Sequence, residues 1–467
     1  MSDPTSWRNL SPGNLSRAQP EVHAMDVEAC VSAAYAAFPK WAALSLDARI
    51  SALQTCQAAI RENAERLAFL IADETGKPLT EARGELGAVV AKFDLTIADA
   101  WEFLADHPVP DAPHPALVRV RPRGPAAVIA PFNFPIHLGH GAAVAYLAAG
   151  NPVLFKPSPL SAATCAAYGS AMAAALPPGV FQIVQGWGGA GRQLSLHPKV
   201  RSVCFTGSVA AGRSLAVELA ADYSKSLALE LGGKNAAIVC ADADPVLAAT
   251  AVADALCLTA GQRCNATSRA LVHESLLDEF LSALRESLGR YRPGDPLEES
   301  TALGPLITSA AVDRYRSLTS LDVGEWLVPG TVPESVGEMR GHYVTPAVAL
   351  CRDFDLLAAT PLHCEETFSP VLTVIPFRDD DEALRLHDST PFGLTASIFS
   401  RDRNRFEMLG ACLQVGNLYW NLPTTFSPST LPFGGIGISG NGKPGGRGFV
   451  RFAGDEQAVQ WRDPNAS

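Results

Sequence analysis

Residues 126–155 read AAVIAPFNFPIHLGHGAAVAYLAAGNPVLF. A short apolar run (residues 126–130) meets a proline-framed turn (131–135), then an Ala-rich stretch, then a second apolar run (152–155). Strand-length apolar segments joined through a breaker and a helical stretch are the pattern of a βαβ unit. The alternation continues outward, because residues 180–184, 200–205 and 236–239 are again rich in Val, Ile and Phe and lie between Ala-rich segments. Such repetition predicts a parallel sheet flanked by helices. A second alternating region begins near Ala266 and runs through Leu271-Val272 and residues 344–350 and 371–377, with no low-complexity linker between the two.

Upstream, residues 27–105 are Ala-rich, with Ile50, Leu53, Ala58, Ile60 and Leu67 at helical spacing and Gly76-Lys77-Pro78 as the main breaker, which predicts a block of amphipathic helices. Leu117-Val118-Arg119-Val120-Arg121 alternates apolar and basic residues and ends at prolines, the mark of a strand exposed on one face and of half a protruding hairpin.

A chain of 467 residues holds about three domains at roughly 150 residues each. Its composition, 47% hydrophobic and 18% charged, is that of a globular protein. The net charge of −11 and the lack of a basic run argue against nucleic acid as a partner. No apolar run approaches the ~18 residues of a membrane span, and Met1-Ser2-Asp3-Pro4 lacks the basic-then-apolar start of a secretion signal. The expectation is a soluble, cytoplasmic protein with no membrane association. Ten scattered cysteines without a Cys-x-x-Cys pair predict reduced thiols and no metal site. His137 and His140 have no acidic or thiol neighbours in sequence and read as structural histidines.

About nine of the ten cysteines are expected to be small buried hydrophobes. Cys264, ending Thr259-Ala260-Gly261-Gln262-Arg263-Cys264, is the exception: small and polar neighbours suggest a turn into a helix, which lowers a thiol pKa and exposes a nucleophile. Glu230 interrupts Leu residues before Gly232-Gly233, where a carboxylate at a strand end can act as a general base; the plainer reading is a solvated surface charge. Asn133, between Pro131 and Pro135, presents an amide able to hold a developing oxyanion, with an ordinary Asx turn as the alternative. Gly207, Ser208 and Gly212 follow a strand and enter a helical stretch, as a pyrophosphate cradle would, and Lys156 and Ser158 end another strand where a ribose can sit. Each of these two signals is weak alone.

Taken together and in this order, these motifs resemble the aldehyde dehydrogenase superfamily, over nearly the whole chain from about Glu28 onward. The resemblance implies an α/β fold of two parallel-sheet domains plus a small β oligomerisation element. It divides the chain into a dinucleotide-binding domain (residues 1–112 and 126–231), a catalytic domain (232–438) and a bridging element (113–125 and 439–467). It implies Cys264 as nucleophile, Glu230 as activator of water and Asn133 as oxyanion donor. Lys156, Ser158, Gly207, Ser208, Gly212, Glu366 and Phe368 would hold the cofactor, NAD, with NADP as the alternative. Residues 432–441, PFGGIGISGN, match the C-terminal signature of the family.

Within the superfamily, residues 130–137, 260–264 and 419–421 look most like the succinylglutamate semialdehyde dehydrogenases of arginine catabolism. The resemblance therefore implies oxidation of a semialdehyde to its acid in a homodimer or homotetramer. A general aliphatic aldehyde dehydrogenase, acyl transfer to coenzyme A and a non-catalytic ligand-binding homologue are the alternatives. Three positions depart from the family pattern. Pro159 stands where a ribose-binding Glu is common, Ser369 stands where Gly is usual, and the strands that commonly precede the loop at residues 9–13 are expected to be absent.

Overall fold

The apolar runs of residues 126–230 become strands whose side chains alternate between two cores. Ala126, Val128, Val153 and Phe155 face one side, while Ala127, Leu154 and Val203 face the other. In this computed structural model, which describes residues 3–462, the five strands Ala126–Ile129, Val153–Lys156, Phe181–Ile183, Ser202–Thr206 and Ser226–Glu230 are all parallel. The first three run outward on one side and the last two on the other, so the order reverses between Ala126–Ile129 and Ser202–Thr206. Loops leaving the carboxyl ends at such a reversal open a crevice for ligands. The short strand Gly440–Asn441 closes one edge, antiparallel to Ser226–Glu230.

The expected helical block is present as Val27–Ala42, Leu46–Glu62, Ala64–Thr75 and Leu79–Phe103. Gly76, at φ 77°, ends the third helix in a left-handed cap that a side chain would strain. The fourth buries Ala82, Leu86, Val89, Phe93 and Ala100 at helical spacing among neighbouring helices, in the core shared with one face of the first sheet.

A second sheet holds six parallel strands in the order Ala347–Leu350, Val371–Phe377, Thr267–His273, Asn235–Val239, Thr395–Phe399 and Asn417–Trp420, with Glu325–Val328 antiparallel at one edge. Its core is separate and mostly aliphatic, with Phe280, Tyr315, Phe377 and Phe399 among its buried members. Only residues 231–234 connect Ser226–Glu230 to Asn235–Val239, so carboxyl ends of the first sheet face amino ends of the second across the crevice.

Strand Ala116–Pro122 pairs antiparallel with Gly454–Gln460 along its whole length and with His107–Pro108 on its other side. This is the strand read from the Leu-Val-Arg-Val-Arg pattern, but it lies half-buried between two partners, with only Arg121 exposed, rather than open along one face. The expectation at the N-terminus is corrected. Short strands Ser6–Trp7 and Val22–His23 pair with each other around Leu10–Ser11 and Asn14–Ala18, so a strand does precede the loop at residues 9–13. Among the described residues, no helix is long and apolar enough to cross a membrane.

Candidate active site

The crevice is a cleft of about 1010 Å³ walled by loops from both sheets. From the first sheet comes the turn after Ala126–Ile129, where the prolines at 131 and 135 hold Asn133 inward, 3% exposed, its Nδ2 donating to the Gln262 carbonyl at 2.8 Å. Next to it, strand Ser202–Thr206 runs through Gly207 into helix Val209–Leu219. The Ser208 Oγ caps that helix by accepting from the Ala211 amide at 3.3 Å. A Cβ on Gly207 would sit 2.6 Å from the tip of the Phe205 ring, so a larger residue in this turn would have to displace that ring. Lys156 is 4% exposed, and burial lowers its ammonium to about 8 while it donates to the Pro157 carbonyl at 2.8 Å. Ser158 accepts from the Leu160 amide at 3.2 Å. Pro159 also walls the cleft, and its carbonyl is held by Trp7 at 3.0 Å and Asn9 at 2.7 Å.

From the second sheet comes the loop that carries Cys264. Thr259 and Ala260 both sit at φ 53° and Gly261 at φ 71°, three successive residues in the left-handed region. For Thr and Ala this is stored strain, and surrounding bonds hold it. Glu81 accepts from the Thr259 amide at 3.0 Å and hydroxyl at 2.8 Å and pairs with Arg263 at 3.1 Å. The Gln262 side chain accepts from the Ile307 amide at 2.9 Å, and Asn235 donates to the Cys264 carbonyl at 2.8 Å. Gly261 lies against Ser369-Pro370 so closely that a Cβ would stand 2.5 Å from the Ser369 carbonyl carbon.

Glu230, at the end of its strand and 1% exposed, faces Cys264. Its two oxygens make no hydrogen bond of ordinary geometry. Burial pushes the carboxyl up to about 7, against a smaller opposing pull from the Cys264 thiol and the Thr206 hydroxyl. The expected low thiol pKa is corrected: Cys264 sits in a turn that leads into strand Thr267–His273, not into a helix, and burial together with Glu230 raises it well above its ordinary value.

Glu366 and Phe368 enter the same cleft from the loop before Val371–Phe377. The Glu366 carboxylate accepts from the Gly233 amide at 3.2 Å, and burial raises it to about 8. Phe368, at φ 50°, meets Phe132 edge to face with centroids 5.9 Å apart. Cys264, Glu230, Asn133 and six of the seven residues expected to hold a cofactor therefore converge on one cleft. Gly212 does not: it is buried where its helix crosses Leu231, and a Cβ would lie 2.5 Å from a Leu231 methyl, so it is a close-packing glycine.

Several residues of the site were invisible in the motifs. Arg314 donates to the Glu366 carbonyl at 2.8 Å and the Glu365 carboxylate at 2.9 Å. Glu85 pairs with the buried Lys77 at 2.5 Å and caps helix His137–Ala148 by accepting from the Ile136 and His137 amides at 3.1 Å each. Lys77 in turn stands 3.6 Å from the centroid of Phe134, beside Asn133. Glu81 and Glu85 lie four apart on helix Leu79–Phe103, a spacing the sequence did contain. His140 bonds the Tyr168 hydroxyl at 2.9 Å inside the core. The cysteine expectation is also corrected, because seven are buried, Cys264 is half-buried, and Cys364 and Cys412 are exposed.

Comparison with known proteins agrees with this geometry. Residues 9–459 match the model of the aldehyde dehydrogenase family. The chain is 37% identical over 424 residues, 90% of its length and 88% of the relative's, to N-succinylglutamate 5-semialdehyde dehydrogenase 1 of Caulobacter vibrioides. It is 35% identical over 457 residues, 95% of its length and 88% of the relative's, to N-succinylglutamate 5-semialdehyde dehydrogenase of Salmonella schwarzengrund. Among solved structures, an NAD-dependent aldehyde dehydrogenase from Sinorhizobium meliloti superposes with a TM-score of 0.92 at 29% identity, over 99% of this chain and 92% of that one. A 1-pyrroline-5-carboxylate dehydrogenase from Thermus with bound NAD gives 0.91 at 28% identity, over 98% and 90%. The chain belongs to the aldehyde dehydrogenase family.

Proposed function

We propose that the protein oxidises N-succinylglutamate 5-semialdehyde to N-succinylglutamate through a thioester on Cys264, with NAD as the hydride acceptor. The observation that carries this is the pairing, in one cleft, of a half-buried thiol with a buried carboxyl that titrates near 7. The Cys264 sulfur bonds to the aldehyde carbon as the thiol proton leaves to water in the cleft. Asn133 has a second N–H besides the one given to Gln262, and with a main-chain amide near Cys264 it holds the oxyanion. NAD, which Lys156, Ser158, Gly207, Ser208, Glu366 and Phe368 would hold in the cleft, would supply the acceptor for the hydride that leaves that carbon. Glu230 then takes a proton from water as its oxygen attacks the thioester, the carbon–sulfur bond breaks, and the acid is released.

The cleft suits a dinucleotide by its own features. Gly207 and Ser208 bring donors to the N-terminus of an 11-residue helix at the switch point of the sheet. Lys156, Ser158, Glu366 and Phe368 complete the hold, and Gly212 acts by packing. The NAD-dependent neighbours support NAD over NADP. In this reading the first sheet and helical block (residues 1–112 and 126–231) bind the dinucleotide, and residues 232–438 carry the nucleophile. Residues 113–125 and 439–467, of which 463–467 lie outside the described residues, bridge subunits of a homodimer or homotetramer through the exposed strand Gly454–Gln460. A nucleophilic free thiol suits the reducing cytoplasm.

The test is formation of the reduced cofactor, NADH or NADPH, by purified protein with N-succinylglutamate 5-semialdehyde against hexanal, each with NAD and with NADP. Selective turnover of the dicarboxylate supports the assignment. Equal or better use of hexanal removes the substrate and keeps the chemistry, and no turnover with either cofactor removes both.

A further inference from the structure

Cys264 and Leu138 wall two cavities, the large cleft on one side and a pocket of about 120 Å³ on the other. An aldehyde bonded to Cys264 with its hydrogen turned to the cleft must lay its remaining chain in the smaller pocket. That pocket mixes apolar walls, Phe134, Leu138 and Phe433, with Lys92, Arg263 and His137, and no carboxylate residue lines it.

The three basic residues differ in what already occupies them. The Arg263 guanidinium is paired with Glu81 at 3.1 Å and lies 4.8 Å from the Phe134 centroid. His137 is neutral at working pH, since burial lowers it to about 4. Lys92 is 4% exposed, and among the described residues it makes no ion pair. Its one hydrogen bond goes to the Gly446 carbonyl, also in the pocket wall. The nearest acidic influence, Asp99, is itself bound by Arg447 at 2.7 Å. A buried ammonium has three donors and a large desolvation cost, so one weakly compensated in the wall of a pocket favours an anionic ligand.

The helix and its neighbour are shaped for this. Glu81, Glu85 and Lys92 share the face of Leu79–Phe103 that looks toward the site, at intervals of four and seven residues. Where helix His137–Ala148 crosses, residue 141 is glycine, and a Cβ there would stand 2.8 Å from the Lys92 Cε. The bare backbone at 141 leaves room for the lysine to lie along the pocket.

We infer that Lys92 is the specificity residue of the aldehyde site: its ammonium, in the space left by Gly141, receives a carboxylate at the distal end of an aldehyde bonded to Cys264. Arg263 and His137 contribute the surrounding positive and donor field. The inference rests on the proposed role of Cys264 and deepens it by naming the group that reads the far end of the substrate.

The experiment measures the Kd of N-succinylglutamate, the tricarboxylate product, by calorimetry for the wild type, Lys92→Met and Gly141→Ala. It also measures kcat/KM for N-succinylglutamate 5-semialdehyde relative to hexanal. Lys92→Met keeps the volume and removes the charge. The product Kd is expected to rise about 30-fold and the selectivity ratio to fall by a similar factor through KM, the equivalent of roughly 2 kcal/mol for one charge-assisted bond. Gly141→Ala, which displaces the end of the lysine, shifts both in the same direction by less. A Lys92→Met protein that binds the product as the wild type does, or that loses both aldehydes equally through kcat, overturns the inference while leaving the dicarboxylate reading intact. A wild type that neither binds the product nor prefers the semialdehyde overturns both.

Discussion

Glu230→Gln separates the two halves of the proposed cycle and has a stability signature of its own. Raising the carboxyl from 4.5 to about 7 by burial corresponds to about 3 kcal/mol of unfavourable ionisation in the folded state, at about 1.4 kcal/mol per pH unit. At 1% exposure this needs little discount for solvent screening. Below 4.5 the group is protonated whether the chain is folded or not. Between 4.5 and 7 only the unfolded chain loses the proton, so this group lowers stability as pH rises through that window, and the full penalty stands above it. Glutamine cannot ionise, so the variant should unfold at higher temperature than the wild type at pH 8, by up to about 3 kcal/mol, with the difference vanishing toward pH 4.5. Catalysis moves the other way. The wild-type hydrolytic step should quicken about tenfold between pH 6 and pH 8 as the carboxylate fraction grows, and Glu230→Gln should lose at least about 100-fold in steady turnover. Stopped-flow absorbance reads both: the variant should give a burst of reduced cofactor near one per active site and then stall. A variant with full steady turnover, or one less stable than wild type at pH 8, refutes the reasoning.

Three further outcomes follow from the geometry. Gly261→Ala places an L-residue at φ 71° with its Cβ 2.5 Å from the Ser369 carbonyl carbon, so the Cys264 loop must shift, and kcat should fall roughly 100-fold for a displacement near 1 Å; unchanged kcat counts against the loop as the positioning device. Glu85→Gln leaves Lys77 buried without its charge partner and should cost about 3–5 kcal/mol in chemical denaturation, of which adding Lys77→Met restores a large part; a single variant as stable as wild type contradicts the buried-pair account. In peptide-mapped alkylation, Cys264, Cys364 and Cys412 should react ahead of the seven buried cysteines. The Cys264 rate should climb steeply with pH because its thiol is raised, and aldehyde should protect Cys264 alone.

Much of this architecture was legible because strand runs and turn chemistry are local. The apolar run and Pro-framed turn at residues 126–135, the Thr206-Gly207-Ser208 turn and the Leu-Gly-Gly after Glu230 each declare a strand end, and strand ends are where a parallel sheet gathers its site. The electrostatics were not legible. The Cys264 neighbourhood reads as polar and helix-entering, yet the chain enters a strand, and Glu230, distant in sequence, raises the thiol. Gly212 looked like part of a phosphate cradle because spacing alone does not distinguish a glycine that faces a ligand from one that lets a helix approach Leu231. Lys92 and Glu85 were hidden in an Ala-rich helix, and their partners, Gly446 and Lys77, are set by tertiary contact. The N-terminal pairs Ser6–Trp7 with Val22–His23 escaped notice because two-residue strands carry no periodicity.

The central claim is that oxidation passes through an acyl group on Cys264. Glu230→Gln protein mixed with N-succinylglutamate 5-semialdehyde and NAD, quenched in acid and digested, tests it by mass spectrometry. The account expects the peptide holding Cys264 to carry the mass of the N-succinylglutamyl acyl group, near one per chain, and no adduct when NAD is omitted and the sample is borohydride-free. An unmodified Cys264 peptide alongside a burst of reduced cofactor, or the acyl group on Cys364 or Cys412 instead, would contradict it.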